Sequence, residues 1–182
     1  MEIQNVLHIP TYYSESTEQS LGYAIKEQID QSNKNNIVLF IEARQESKII
    51  ESFIHIEGAT KVIHVKHPIG INYFSRTRNY LNAVTTGLSK LIDLGLKIDE
   101  VCCYDAGKNL SIALKYFDYI PCSLFEVNNQ FLDGGFKEKS KRFQKSILKN
   151  INKMNHVWVA NLAIKKALLN NDITKSIIIL NQ

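Results

Sequence analysis

A chain of 182 residues with 45% hydrophobic and 22% charged residues carries enough apolar material for one ordinary globular domain. Its net charge of +4 excludes a strongly polyanionic or polycationic chain, and no apolar run is long enough to cross a bilayer. The opening MEIQNVLHIP lacks a basic stretch ahead of a long apolar one, so no secretory leader is expected and the cytoplasm is the expected location.

The apolar, β-branched run 3–9 predicts a first strand. A helix follows, with Leu21, Ile25, Gln28 and Ile29 at helical spacing and Ser16 and Gln19 as a capping box. The near-continuous apolar run NIVLFIEA (36–43) predicts a strand buried on both faces. ESKIIESFIHI, with Ile49, Ile50, Phe53 and Ile54 on one side, reads as a second helix, and TKVIHVKH (60–67) as a third strand. Residues 73–96 predict a longer helix with the stripe Tyr80, Leu81, Val84, Leu88, Leu91 and Ile92 and with Gly95 as its C-terminal cap. A strand at 98–105, a short helix at 108–117 and a strand at 120–127 come next. After the basic segment 137–154, HVWVA (156–160), a helix and KSIIILNQ (175–182) supply a sixth and a seventh strand.

Strands alternating with helices imply right-handed crossovers, a mostly parallel sheet and helices on both faces, a Rossmann-like three-layer α/β sandwich. The loop 127–137 is the least regular stretch and is expected to be mobile. Cys102, Cys103 and Cys122 make neither a disulfide framework nor a zinc pattern and read as buried thiols in strands.

In an open parallel sheet, ligands bind beyond the carboxyl ends of the strands. Thr11, Tyr12 and Tyr13 follow the first strand, Glu42 and Arg44 the second, and His67 and Gly70 the third. Asp105, Gly107 and Lys108 follow the fourth, and Glu126, Asn128 and Asn129 the fifth. Glycine-rich nucleotide loops and a serine-hydrolase elbow are missing, and DAGK (105–108) reads first as a simple helix start. The five histidines show no metal-site spacing, and neither a metal nor another cofactor is expected.

The segment FKEKSKRFQKSILKNINKM (136–154) sets Lys137, Lys139, Lys141, Arg142, Lys145, Lys149 and Lys153 against Glu138, a local +6 that exceeds the whole chain's +4. Phe143, Ile147, Ile151 and Met154 recur at helical steps, so the segment is an amphipathic basic helix. It packs as a solvated outer face, or it meets an anionic membrane surface or an acidic polymer. Nucleic acid is not expected, because aromatics are not interleaved with the charges.

The order of elements resembles the N-terminal domain of bacterial sialyltransferases of two-domain GT-B architecture, including the lipooligosaccharide sialyltransferases and the polysialyltransferases. VLHIPTYYSESTEQSLGYAI, ATKVIHVKHPIGINYF, KIDEVCCYDAGKNLSIALKYFDY and IPCSLFEVNNQFLDGG carry the resemblance. It implies a single half of a GT-B fold, a transferase of lipooligosaccharide or capsule biosynthesis, and peripheral association with the inner membrane. It further implies a glycan acceptor, and a CMP-sugar donor only when a second domain is present. The family carries two acidic residues and a glycine after the strand at 120–127; here the letters are Glu126, Val127 and Asn128. Glu126 alone carries over, as the base that takes the acceptor hydroxyl's proton. Thr11, Tyr12, Arg44, Asp105, Asn128 and Asn129 are the candidate binding residues on the rim. The family's phosphate-binding His-Pro pair lies in its second domain, so His67-Pro68 is read as a turn.

The expected organisation is an acceptor-side domain over 1–174, with 175–182 either opening a missing second domain or adding a strand. One half of a GT-B enzyme does not complete transfer by itself. Two alternatives stay open. One is a stand-alone Rossmann-like module that binds a nucleotide or small anion. The other is an interaction protein whose C-terminal strand pairs with a partner or in a homo-oligomer.

Overall fold

The computed structural model describes residues 4–13 and 20–180. The Ser16–Gln19 capping box lies outside the described residues. The chain divides into two compact units, Met1–Asp99 and Glu100–Gln182.

In the first unit the elements are β1 (Asn5–Ile9), α1 (Ser20–Asp30), β2 (Asn35–Arg44), β3 (Glu51–Glu57), β4 (Thr60–Pro68) and α2 (Tyr73–Asp93). Strand order is β3-β4-β2-β1. β1, β2 and β4 run parallel, with Leu7 opposite Ile37 and Leu39 opposite Ile63. Alternation sends Leu39, Ile63 and Val65 to one face. There α2 approaches closely, because a Cβ on Gly87 would lie 2.5 Å from the Leu39 side chain. The opposite face meets α1: the Asn36 amide donates to the Ile29 carbonyl at 2.8 Å, and the Thr60 hydroxyl donates to Asp30 at 3.0 Å. Helix, sheet and helix are therefore stacked in this unit, as the alternating pattern predicts. Gly95 ends α2 in the left-handed region (φ 63°), its N–H donating to Ile92, as expected of a C-terminal cap. His8 is buried against the Asn36 side-chain oxygen at 3.0 Å, a satisfied core histidine.

The helix expected at ESKIIESFIHI is instead β3, antiparallel to β4, with Phe53 opposite His64 and Glu57 opposite Thr60. Phe53 and Ile54 do lie at helical spacing with Ile49 and Ile50, but a run this short satisfies both periods. The deciding signal is the two-residue turn Gly58-Ala59, which joins Glu57 to Thr60 with Gly58 at φ 58°. That backbone matches the primed turns that fold right-twisted strands into hairpins. Gly58→Ala is expected to cost about 1 kcal/mol, the left-handed penalty of a Cβ, measurable as a lowered denaturant midpoint at unchanged slope.

The second unit holds β5 (Glu100–Tyr104), α3 (Lys108–Tyr116), β6 (Cys122–Glu126), α4 (Gly135–Glu138), α5 (Lys141–Ile151), β7 (His156–Val159), α6 (Leu162–Leu169) and β8 (Ile177–Ile179). Its order is β5-β6-β7-β8, all parallel. Val101, Cys103, Leu124, Val157 and Val159 are buried, and Tyr104, Phe125 and Trp158 stack in register at 5.3 and 6.0 Å between ring centroids. The closing run of the chain forms β8, with Ile177 opposite Val157.

The three cysteines are buried free thiols. Burial pushes Cys122 up to about 11 and Cys103 higher still, so neither is a ready nucleophile. Two aromatic side chains of the least regular stretch are buried. Phe131, in a 3₁₀ turn at Asn129–Phe131, and Phe136, in α4, are buried with rings 4.6 Å apart.

Candidate functional site

Two carboxylates meet in the second unit, at the carboxyl ends of β5 and β6. After Tyr104 the chain turns sharply toward α3, and Asp105 makes the turn with φ 72°. Aspartate tolerates this left-handed conformation better than most side chains, and such outliers concentrate at functional positions. The Asp105 N–H donates to the Phe125 carbonyl at 3.0 Å, and the Gly107 N–H donates back to the Asp105 carbonyl at 2.9 Å. This tight turn aims the Ala106 N–H at Glu126 Oε2, 2.7 Å away.

Glu126 is the last residue of β6 and is completely buried. Its Oε1 accepts from the Asn128 N–H at 3.1 Å, and the Gln130 amide reaches Oε2 at 3.4 Å. Burial, helped by the charge of Asp105 and opposed by the donors from Ala106, Asn128 and Gln130, pushes the Glu126 carboxyl up to about 8. At neutral pH most Glu126 side chains therefore carry a proton. A pair of buried neighbouring acids, one of them pushed toward neutrality, is an arrangement that general acid–base chemistry uses. Ionised, Glu126 can accept a proton from a hydroxyl; protonated, it can return one.

Of the residues expected on the rim, this unit brings together Asp105, Glu126 and Asn128. Asn128 contributes its backbone N–H to the cradle. The Asn129 side chain lies outside the described residues. Gln130 was not expected, since nothing in the sequence distinguishes it from Asn128 and Asn129. The 3₁₀ turn that returns it to Glu126 is its only mark.

Gly107 and Lys108 stand at the start of α3 in the same unit, and the remaining rim residues lie in the first unit. Thr11 and Tyr12 are exposed after β1, while Tyr13 turns inward and donates to Glu57 at 3.1 Å. Arg44, at the end of β2, donates to Glu42 at 2.7 Å, and Glu42 also holds His64 at 3.1 Å. Burial lowers the His64 pKa in spite of that carboxylate. His67-Pro68 closes β4. The His67 ring lies edge-on to Tyr80, and the Pro68 carbonyl accepts from Asn79 at 3.1 Å.

The basic segment is two helices, not one. It breaks after α4, and Ser140 caps α5 by accepting from the Phe143 N–H at 3.3 Å. Ile147, Ile151 and Met154 are buried as the stripe predicts, whereas Phe143 is half exposed. Lys137, Lys139, Lys141, Arg142, Lys145 and Lys149 are all exposed.

Neither the protein-family profiles nor the curated proteins compared with this sequence give a match. Among solved structures, the chain is similar to the E. coli trehalose-6-phosphate protein bound with UDP-2-fluoro glucose, at 10% identity and a TM-score of 0.56 over 91% of this chain. It is also similar to the UDP-forming α,α-trehalose-phosphate synthase of Burkholderia vietnamiensis (8%, TM-score 0.54) and the corresponding enzyme of Burkholderia multivorans (10%, TM-score 0.54), each over 93% of this chain. The chain spans 42% of the length of each of these proteins. The fold resembles one domain of a GT-B glycosyltransferase.

Proposed function

We propose that this chain is the acceptor-side domain of a glycosyltransferase similar to the bacterial sialyltransferases, with Glu126 as the base that takes the acceptor hydroxyl's proton. The observation that carries the reading is the completely buried Glu126 beside Asp105, its carboxyl pushed up to about 8, at the strand ends of a fold that resembles one GT-B domain. In the second unit Asp105, Asn128 and Asn129 would contact the acceptor, and the exposed basic face of α5 would hold an anionic glycan; in the first unit Thr11, Tyr12 and Arg44 are binding candidates in their own right. A second domain would bind the CMP-sugar, whose leaving phosphate needs its own stabilising groups, so residues 1–174 acting as the acceptor side would not complete transfer alone. Since only ionised Glu126 accepts a proton, transfer by the two halves together would rise with pH up to about 8.

The test is ligand binding by the chain itself. On an array containing lipooligosaccharide-derived and sialylated oligosaccharides, the chain is expected to bind glycan without nucleotide, and Glu126→Gln is expected to retain that binding. Thermal stabilisation by CMP or UDP with no glycan binding would instead favour a stand-alone nucleotide module.

A further inference from the structure

The turn between β4 and α2 presents apolar side chains to solvent that a monomeric soluble protein ordinarily hides. Ile71 is 96% exposed and Phe74 is 83% exposed, and Ile69 and Tyr73 beside them are exposed as well. The turn is built firmly. Asn72 and Ser75 form a reciprocal capping box at the start of α2, with the Asn72 side chain accepting from the Ser75 N–H at 2.9 Å and Ser75 Oγ accepting from the Asn72 N–H at 3.1 Å. The Arg76 Nε donates to the Gly70 carbonyl at 2.9 Å. Gly70 tolerates no Cβ, which would meet the Arg76 backbone nitrogen at 2.3 Å.

The charges nearest this patch along the chain are basic. Residues 58–92 hold no acid, and Arg76 and Arg78 follow the exposed side chains directly; on the neighbouring strands Glu42 and Glu51 stand opposite Lys66. Arg76 and Arg78 are exposed in the first two turns of α2, whose first turn has no acid. A cation at a helix N-terminus opposes the helix dipole, so the helix gains nothing from this placement internally. An external anionic surface would offset it. Exposed isoleucine and aromatic side chains rimmed by arginine are the composition of an interfacial anchor, with apolar tips among the acyl chains and guanidinium groups at the phosphates.

We infer that the β4–α2 turn docks the first unit on an anionic lipid bilayer, inserting Ile71, Tyr73 and Phe74 and setting Arg76 and Arg78 against the headgroups. The inference is argued without the glycosyltransferase reading and uses residues of the first unit alone, none of them from α5. Because charge carries recognition, docking weakens with added salt.

Co-sedimentation with phosphatidylcholine vesicles, with and without phosphatidylglycerol, tests it. The chain is expected to bind only the anionic vesicles. The doubly substituted Ile71→Ser, Phe74→Ser chain is expected to bind at least about tenfold more weakly, and Arg78→Gln about fivefold more weakly. These side chains are exposed, so the melting temperatures should match the parent's. Phe74→Trp should show blue-shifted emission on anionic vesicles, quenched by brominated acyl chains. Lys141→Gln, Lys145→Gln and Lys149→Gln in α5 together should leave vesicle binding in place. Undiminished binding of the Ile71→Ser, Phe74→Ser chain would overturn the inference, as would equal binding to neutral vesicles or loss of binding only in the α5 variant. A parent chain that elutes as a dimer and becomes a monomer on Ile71→Ser, Phe74→Ser substitution would assign the patch to a second copy.

Discussion

Replacing Glu126 with glutamine is expected to flatten the pH dependence of stability and to give the variant its best standing, relative to the parent, in alkaline solution. In the folded chain Glu126 titrates at about 8, against an ordinary value of 4.5. Below the ordinary value, folded and unfolded chains both hold the proton, and the site carries no ionisation penalty. Between the two values the folded chain holds the proton more tightly, so stability falls as pH rises and levels off above about 8. The full drop is on the order of 3 to 5 kcal/mol. Glutamine stays neutral throughout, but its NH₂ faces either the Ala106 or the Asn128 N–H, which costs about 1 to 3 kcal/mol at every pH. The parent should therefore melt higher near pH 5 and lose that advantage by pH 9, and parallel melting profiles would refute the account. Asp105→Asn keeps a side chain suited to the left-handed turn and removes the neighbouring charge, so it should shift the parent's profile toward higher pH tolerance.

Gly70→Ala is expected to destabilise the first unit by roughly 2 to 4 kcal/mol. A Cβ there would lie 2.3 Å from the Arg76 nitrogen, 2.4 Å from Ser75 Oγ and 2.5 Å from the Ser75 carbonyl carbon. Two of these are backbone atoms at the first turn of α2, and they cannot swing aside as a side-chain tip can. Relief requires moving the loop off the helix, which breaks the Arg76–Gly70 hydrogen bond and strains the capping box. The melting temperature should fall by roughly 5 to 15 °C. A fall no greater than that of Gly58→Ala would mean the turn yields easily.

The sequence made the parallel strands legible because NIVLFIEA and VCCY are apolar on both faces, and only a covered sheet makes such runs. It misled at 46–56, where a few isoleucines fit two periods and the hairpin glycine was the better guide. At the site, Glu126 was one of several polar residues expected beyond the strand ends, and only the family resemblance singled it out. Its partners could not be read as such. Ala106 and Asn128 act through backbone N–H groups, and a backbone donor's direction follows from φ and ψ, as at Asp105, and not from residue type. The exposed patch was hidden for a similar reason. Ile71 and Phe74 read as ordinary apolar letters, and only the capping geometry of α2 turns them outward.

The strand order of the second unit has a consequence for how that unit is made. β5, β6, β7 and β8 stand side by side in the order in which a ribosome delivers them. Each strand finds its template already made, as the strand that precedes it in the chain, one helix back or, between β6 and β7, two. The first unit cannot be assembled that way. β4 must insert between β2, made earlier, and β3, its own hairpin partner, so β2's edge stays open until β4 arrives. The second unit can grow strand by strand during synthesis, while the first must wait for an interior piece, and that interval is when its uncovered edge is most open to misassembly.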